Sequence, residues 1–363
     1  MKKTLLAPAV VSAVAAMGAT SSVQAAPVYD QDGTKLDIYG RISMGIRGGG
    51  PEYDGANKVD NGAEFVDVYS RLGFNMSQQV TNDLSAFGRL EWRFDGDEAN
   101  YSNGFSGGIR QSYVGLQSNQ FGTVQAGNFD SFHNQFVSLP FDVYIDRGLE
   151  FSGHPTQSRG DSIGYFTPDL EGFTVYLQGK HYSDRDRLEG VPSVDGGVRD
   201  EGNVIAAQGG VRYQQGPITV GLGFVEDVAR ADENSGGNGG GNGELLGGLI
   251  GSYAVNDALS VRLGYEGREN SDTRGGGFDK IGLGMSYATG PWAFNADLYD
   301  INNDGDAEDR LSWALGSYYK VSSNFNVFLE LQQADQADIT IGNGGIDADG
   351  DDVYYVTGAR YFF

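Results

Sequence analysis

Acid–base or metal chemistry in this chain would have to be built from few parts. There are three histidines, His133, His154 and His181, and no cysteine. A Ser–His hydrolase needs its base within hydrogen-bond reach of the nucleophile, and none of the three histidines lies in a recognisable motif. A zinc site asks for clustered His and Cys, which the composition does not supply. Asp300, Asn302, Asp304, Gly305 and Asp306 repeat the opening of a calcium-binding loop, but Leu311 stands at the twelfth position, where a bidentate Glu is required. A strand period also runs through Asp300, so this is an acidic surface loop, and the Asp347–Asp352 run reads the same way. Either could hold divalent cations weakly beside lipopolysaccharide. The Gly-rich stretch Gly236–Glu244 has no strand-to-helix context for phosphate and reads as a flexible loop tip. No enzyme, cofactor or resident metal is expected.

The charged residues whose placement is regular point elsewhere. In Leu36–Ile46, Leu36, Ile38, Ile42, Met44 and Ile46 fall on one face, and Asp37, Tyr39, Arg41 and Ser43 on the other. Val66, Val68, Leu72, Phe74 and Met76 likewise oppose Asp67, Tyr69, Arg71 and Asn75. Leu84, Ala86, Leu90, Trp92 and Phe94 oppose Ser85, Arg89, Glu91 and Arg93. Side chains on a strand alternate faces, so each segment is a strand with one apolar and one charged face; a helix does not produce this period. Arg41, Arg71 and Arg89 therefore share the polar side with acids and tyrosines. Charged walls of this kind suit water between them, where fixed charges orient dipolar solutes and choose among ions.

The same alternation continues through Ile218–Phe224, Leu259–Tyr265, Ile281–Tyr287, Trp292–Leu298, Leu311–Tyr319 and Phe325–Leu331 to Val353–Phe363. Tight connections at Thr81–Asp83, before Pro217, at Val255–Asp257, Thr289–Pro291 and Ser322–Asn324 alternate with long polar ones at Ser183–Asn203, Arg230–Gly243 and Ala337–Asp351. Short turns on one rim and long loops on the other indicate a membrane β-barrel of about 16 strands. A soluble sandwich shares the alternation, but its inner faces would be dry. The 57 glycines, many on the polar face, suit a tightly curved wall, and the 12% aromatic content argues against disorder. A mean hydropathy of −0.36 fits a barrel in which only alternate strand residues meet lipid.

Lys2 and Lys3, the apolar stretch Leu5–Met17 and the small-residue exit at Val23–Ala25 describe a secretory signal peptide, residues 1–25. The exported domain is then 26–363. The net charge is −24 and becomes more negative when the two leader lysines are lost. That charge repels nucleic acid and attracts cations.

Several of these segments resemble the general trimeric porins of Gram-negative outer membranes: LDIYGRISMG, DVYSRLGF, LSAFGRLEWRF, RGDSIGYFTPDLEGFTV and the terminal GARYFF. The resemblance spans nearly the whole exported chain. It implies a homotrimer in outer-membrane lipid, and a third extracellular loop folded into the barrel with its acids facing an arginine cluster. That loop would run from about Phe129 to Ser158, with Asp142, Asp146 and Glu150 as its candidate acids. The family places an acid and paired glycines just after Leu-Pro, where this chain has Phe141 and Asp142. On the basic side the resemblance adds Arg110 and Arg159 to Arg41, Arg71 and Arg89. The implied function is passive diffusion of small hydrophilic solutes and ions, with mild cation preference from the acid excess. A solute-specific channel on the same barrel is the alternative, left open by Tyr39 and Tyr69 beside their arginines. Gly40, Ser70 and Gln111, read as outward and poor lipid contacts, are expected to be buried between subunits.

Overall fold

A computed structural model describes residues 26–51, 53–54, 57–58, 60–98, 108–153, 157–182, 204–226, 245–268, 277–304, 308–334, 339–341, 346–348 and 352–363. The leader, His154, Arg230 and the Gly236–Glu244 run lie outside the described residues. Sixteen antiparallel wall strands follow in chain order: β1 Thr34–Gly49, β2 in two pieces Glu64–Asp67 and Arg71–Gln79, β3 Leu84–Arg93, β4 Ile109–Ser118, β5 Gly122–Asp130, β6 Arg159–Phe166, β7 Phe173–Tyr182 and β8 Val204–Gln215. They continue as β9 Ile218–Glu226, β10 Leu245–Ala254, β11 Leu259–Arg268, β12 Phe278–Thr289, β13 Trp292–Asn303, β14 Arg310–Lys320, β15 Phe325–Gln333 and β16 Tyr354–Phe362. Each pairs with the next, and β16 returns to β1, Arg41 opposite Phe362 and Gly49 opposite Tyr354, so the sheet closes. An N-terminal strand, Ala26–Gln31, continues the β16 edge along β1, with Ala26 opposite Ile38. Among the described residues, closure leaves no long unpaired strand edge.

Side-chain exposure says which face is which. Ile163 is 67% exposed beside Ser162 at 5%, and Leu263 is 61% exposed beside Arg262 at 4%. The apolar face looks out and the polar face in, the inverse of a soluble protein and the arrangement lipid demands. Asp300 and Asn302 lie on β13 as ordinary strand residues. The expected tight turns are present; two of them, Gly216-Pro217 and Gly290-Pro291, need a left-handed glycine (φ 58 and 56) ahead of the proline.

The second strand departs from the simple alternation. Between its two pieces Tyr69 adopts φ 64, and the Ser70 N–H donates to Asp67 Oδ1 at 2.7 Å. This bulge inserts an odd residue and reverses the facing. Val66 and Val68 consequently point inward with Arg71, and Phe65 points out at 64% exposure. The three residues expected at a subunit contact are accounted for within one chain. The Ser70 hydroxyl accepts the Ser43 N–H at 3.0 Å, and Gln111 donates to Asp130 at 2.5 Å. Gly40 lies beneath the Phe363 ring, which leaves no room for a Cβ.

Candidate functional site

The described residues of the connection between β5 and β6, 131–153 and 157–158, lie against the inner wall. The connection opens with a wide helical turn, Asn134–Ser138, and a tight one, Leu139–Phe141, carrying Pro140 at its start. Phe132, Val137, Phe141 and Phe151 are almost fully buried, packed with Tyr176, Ile250 and Tyr299 of the wall. The inward glycines form the bed for this loop: Gly164 meets Phe132, Gly221 meets the Phe136 carbonyl, Gly248 meets His133, and Gly264 and Gly282 meet Phe151. Their small size serves this close approach as well as curvature.

Polar contacts carry the loop across the barrel. The Ile145 and Asp146 N–H groups donate to the two Glu330 oxygens at 2.6 and 3.1 Å, and Tyr318 donates to the same carboxylate at 2.5 Å. Tyr299 donates to the Gly148 carbonyl at 2.9 Å and Tyr144 to the Ala314 carbonyl at 2.9 Å. His133 is buried at the start of the loop, its ring 3.7 Å from Glu266.

Opposite the loop, one stretch of wall carries all five candidate arginines. Arg41 is on β1, Arg71 on β2, Arg89 on β3, Arg110 on β4 and Arg159 on β6. Glu91, with no exposed side-chain surface, is their hub: it lies 2.7 Å from Arg110, 3.1 Å from Arg89 and 3.5 Å from Arg71, and accepts the Tyr39 hydroxyl at 2.8 Å. Asp130 is the second hub, 2.6 Å from Arg159 and 3.0 Å from Arg110. Arg41 Nε donates to the Tyr69 carbonyl at 3.0 Å, and the Arg93 guanidinium stacks 4.1 Å over the Tyr69 ring.

The three loop acids are sent to different places. At Asp142, burial pushes the carboxyl up from the ordinary value, Asp130 adds to this, and Arg110, Arg71 and Arg41 oppose it. Asp146 accepts hydroxyls from Tyr69 and Tyr354 and so ties the loop tip to β16 and the β2 bulge. Glu150 is not brought to the arginine cluster; it accepts the Ser312 hydroxyl at 3.0 Å and lies 3.5 Å from Arg310 on β14. Glu91, Arg93, Asp130 and Glu330 were missing from the expected site. Strand parity already put Glu91 and Arg93 on the face of Arg89 and Glu330 on the polar face of Phe325–Leu331; nothing local marks Asp130.

The arrangement sets the inward-lying loop inside a barrel whose wall carries clustered charged side chains. A family model described as Gram-negative porin matches residues 12–338. A monosaccharide porin of a Halomonas species and the major outer membrane protein of Halomonas elongata are each 30% identical over 302 residues, covering 80% of this chain and 77% of theirs. The structure is similar to that of an anion-selective porin from Comamonas acidovorans, with a TM-score of 0.67 at 19% identity over 91% of this chain and all of that one.

Proposed function

The chain belongs to the Gram-negative porin family, outer-membrane β-barrel channels and not enzymes, and from this we propose that it is a passive pore for small hydrophilic solutes and ions. The constriction we assign lies between Arg41, Arg71, Arg89, Arg110 and Arg159 on the wall and Asp142 and Asp146 on the loop. The observation that carries this reading is the convergence of Arg71, Arg89 and Arg110 on the buried Glu91 and of Arg110 and Arg159 on Asp130. Opposed charges in a narrow wet passage order water across it and tax apolar or bulky solutes.

The ion preference we propose is mild and salt-dependent. The acid excess of the whole chain favours cations, and many of those acids belong to the long connections. At the wall, bases outnumber acids, which favours anions. The exposed acids are screened first as salt rises, so a cation preference at low salt gives way at high salt.

A sugar-specific channel is the second reading, favoured by the Halomonas relative. Against it, the lumen tyrosines are not bare: Arg89 lies 5.1 Å over Tyr39, Arg93 4.1 Å over Tyr69 and Arg147 3.9 Å over Tyr354. Liposome swelling with a size series of neutral sugars separates the two. Rates falling smoothly with solute size support the general pore; saturation by one sugar overturns it.

We also propose cleavage after Ala25 and assembly as a trimer in lipid and lipopolysaccharide. Ala26 opens the strand that continues the β16 edge, where Phe363 and Gly40 exchange backbone hydrogen bonds of 2.9 and 3.1 Å. Amino-terminal sequencing of protein from outer membranes should begin at Ala26.

A further inference from the structure

His133 and Glu266 take no part in the arginine wall or in the hold on the loop tip. His133 stands at the root of the loop and Glu266 on β11, and neither side chain has exposed surface. The ring nitrogen Nε2 lies 3.7 Å from Glu266 Oε2, and Lys280 Nζ on β12 lies 3.7 Å from Oε1. Both ring nitrogens and both Glu266 oxygens are buried without a hydrogen-bond partner. The strands around the root add little charge. On β8, Gln208 accepts the His133 N–H at 3.5 Å; on β7, Gln178 accepts the Phe132 N–H at 2.7 Å; on β10, Gly248 lies against the ring. Asp130 of β5 and Arg159 of β6 pair with each other, and Lys180 of β7 donates to the Arg159 carbonyl. The far end of the loop reaches the same place. Lys280 donates to the Glu150 carbonyl at 2.9 Å, the Glu150 carboxylate turns away to Arg310, and Gly153, at φ 68, lies against the His133 ring. Start and end of the loop thus meet at Glu266.

We propose that His133 and Glu266 are a proton-operated latch, which fastens the root of the loop to the wall in acid and loosens it as pH rises. A neutral ring offers Glu266 at most one N–H bond. A protonated ring is a donor at both nitrogens and adds an ion pair, and charge-assisted bonds are about twice as strong as neutral ones. Shortening the 3.7 Å approach by about 0.8 Å brings the pair to hydrogen-bond length. Imidazole is the side chain that ordinarily gains its proton between roughly pH 8 and pH 5. The charged ring is the form with a partner in the folded loop, so the added hold is present in acid and lost as pH rises. The tip is held separately, by Glu330 on the Ile145 and Asp146 N–H groups and by Tyr69 and Tyr354 on Asp146. The latch therefore governs motion at the root. Its bearing on permeation rests on the pore reading, whereas hydrogen exchange at the root reports on it whether or not the barrel conducts.

The experiment is hydrogen exchange read by mass spectrometry on the full-length barrel in detergent micelles, at about pH 8 and about pH 5.5. Rates are divided by the intrinsic exchange rate at each pH. Protection of the amides of 131–138 should rise about tenfold in acid, the effect of one charge-assisted hydrogen bond. His133→Asn and Glu266→Gln should each abolish this step, while Asp142→Asn should keep it. A merely structural role for His133 would lower protection at both pH values and leave the step in place, which would overturn the latch. A flat profile in the parent, or a step that survives Glu266→Gln or is lost in Asp142→Asn, would overturn it as well. Heat-shift electrophoresis confirms that each variant is a folded barrel; should His133→Asn not assemble, His133→Gln carries the same comparison. In planar bilayers the parent should give a quieter open-channel current at the lower pH, and His133→Asn should not. An exchange step with no change in current noise would overturn the latch's role in permeation, while liposome swelling by neutral sugars would still report on the pore alone.

Discussion

Glu91 shows how one carboxylate conditions the behaviour of several cations. It has no exposed surface and is held by three arginines and a tyrosine hydroxyl. Arg71→Ala with Arg110→Ala should widen the neck, raise conductance and increase cation preference in single-channel recordings. The same pair of changes leaves Glu91 with Arg89 and Tyr39 alone, and breaking a buried ion pair costs about 3–5 kcal/mol. The double variant should therefore unfold more readily in denaturant, and adding Glu91→Gln should recover part of the loss. Asp142 supplies a pH dependence. Its carboxyl titrates above the ordinary value because it is buried next to Asp130. As pH falls through that raised value it becomes neutral and the neck gains positive character. Ionising it costs the folded state, so acid also relieves strain at this position. Reversal potentials should shift toward anions on mild acidification, before ordinary carboxylates titrate, and Asp142→Asn should show the shifted value at neutral pH. An Asp142→Asn channel identical to the parent would remove Asp142 from the constriction.

The described residues of the β5–β6 loop, 131–153 and 157–158, are held to the inner face of the wall by several independent contacts. Aromatic side chains sit on inward glycines, and the Glu330 carboxylate caps two backbone N–H groups at the tip. Glu330→Ala leaves those two donors without an acceptor and the Tyr318 hydroxyl with only the Val143 carbonyl at 3.3 Å, at about 1–3 kcal/mol for each N–H that stays buried. The barrel should persist, since its strand ladders are untouched, and the loop tip should loosen. Larger and noisier open-channel currents, with faster proteolysis within the loop, are the expected readouts. Gly221→Val attacks the same element from the wall: the new side chain would meet the Phe136 carbonyl and Val137. It should loosen the opposite end of the loop without changing any charge.

At the scale of the whole molecule, charge is divided between two populations. The chain is strongly acidic, yet the inner wall of β1–β6 is rich in arginine. The Debye length falls from about 10 Å at 0.1 M salt to about 3 Å at 1 M, which silences exposed acids before the enclosed arginines. Reversal potentials measured across a salt series should move from cation toward anion preference. A preference that only decays to zero would mean that the arginine wall does not control permeation. Assembly is checked separately. Unheated detergent gels should show an oligomer that heat dissociates, although Gly40, Ser70 and Gln111 contribute nothing to that expectation because their partners lie within the chain.

The barrel, its facing and the inward direction of Arg41, Arg71 and Arg89 were determined by sequence alone, because a strand exposes its period of two to direct reading and a lipid-facing wall must be apolar on every second residue. The alternation of short and long connections likewise settled the order of the strands. What the tertiary structure decided are the relations between residues far apart in the chain. Local period could not show that Tyr69 reverses the facing of β2, or that the inward glycines are seats for aromatic side chains. It could not show that Asp146 is held by Tyr69 and Tyr354 while Glu150 turns to Arg310, 160 residues away. The loop has no period of its own. Its side chains take their positions from whichever wall groups the closed barrel brings within hydrogen-bond reach.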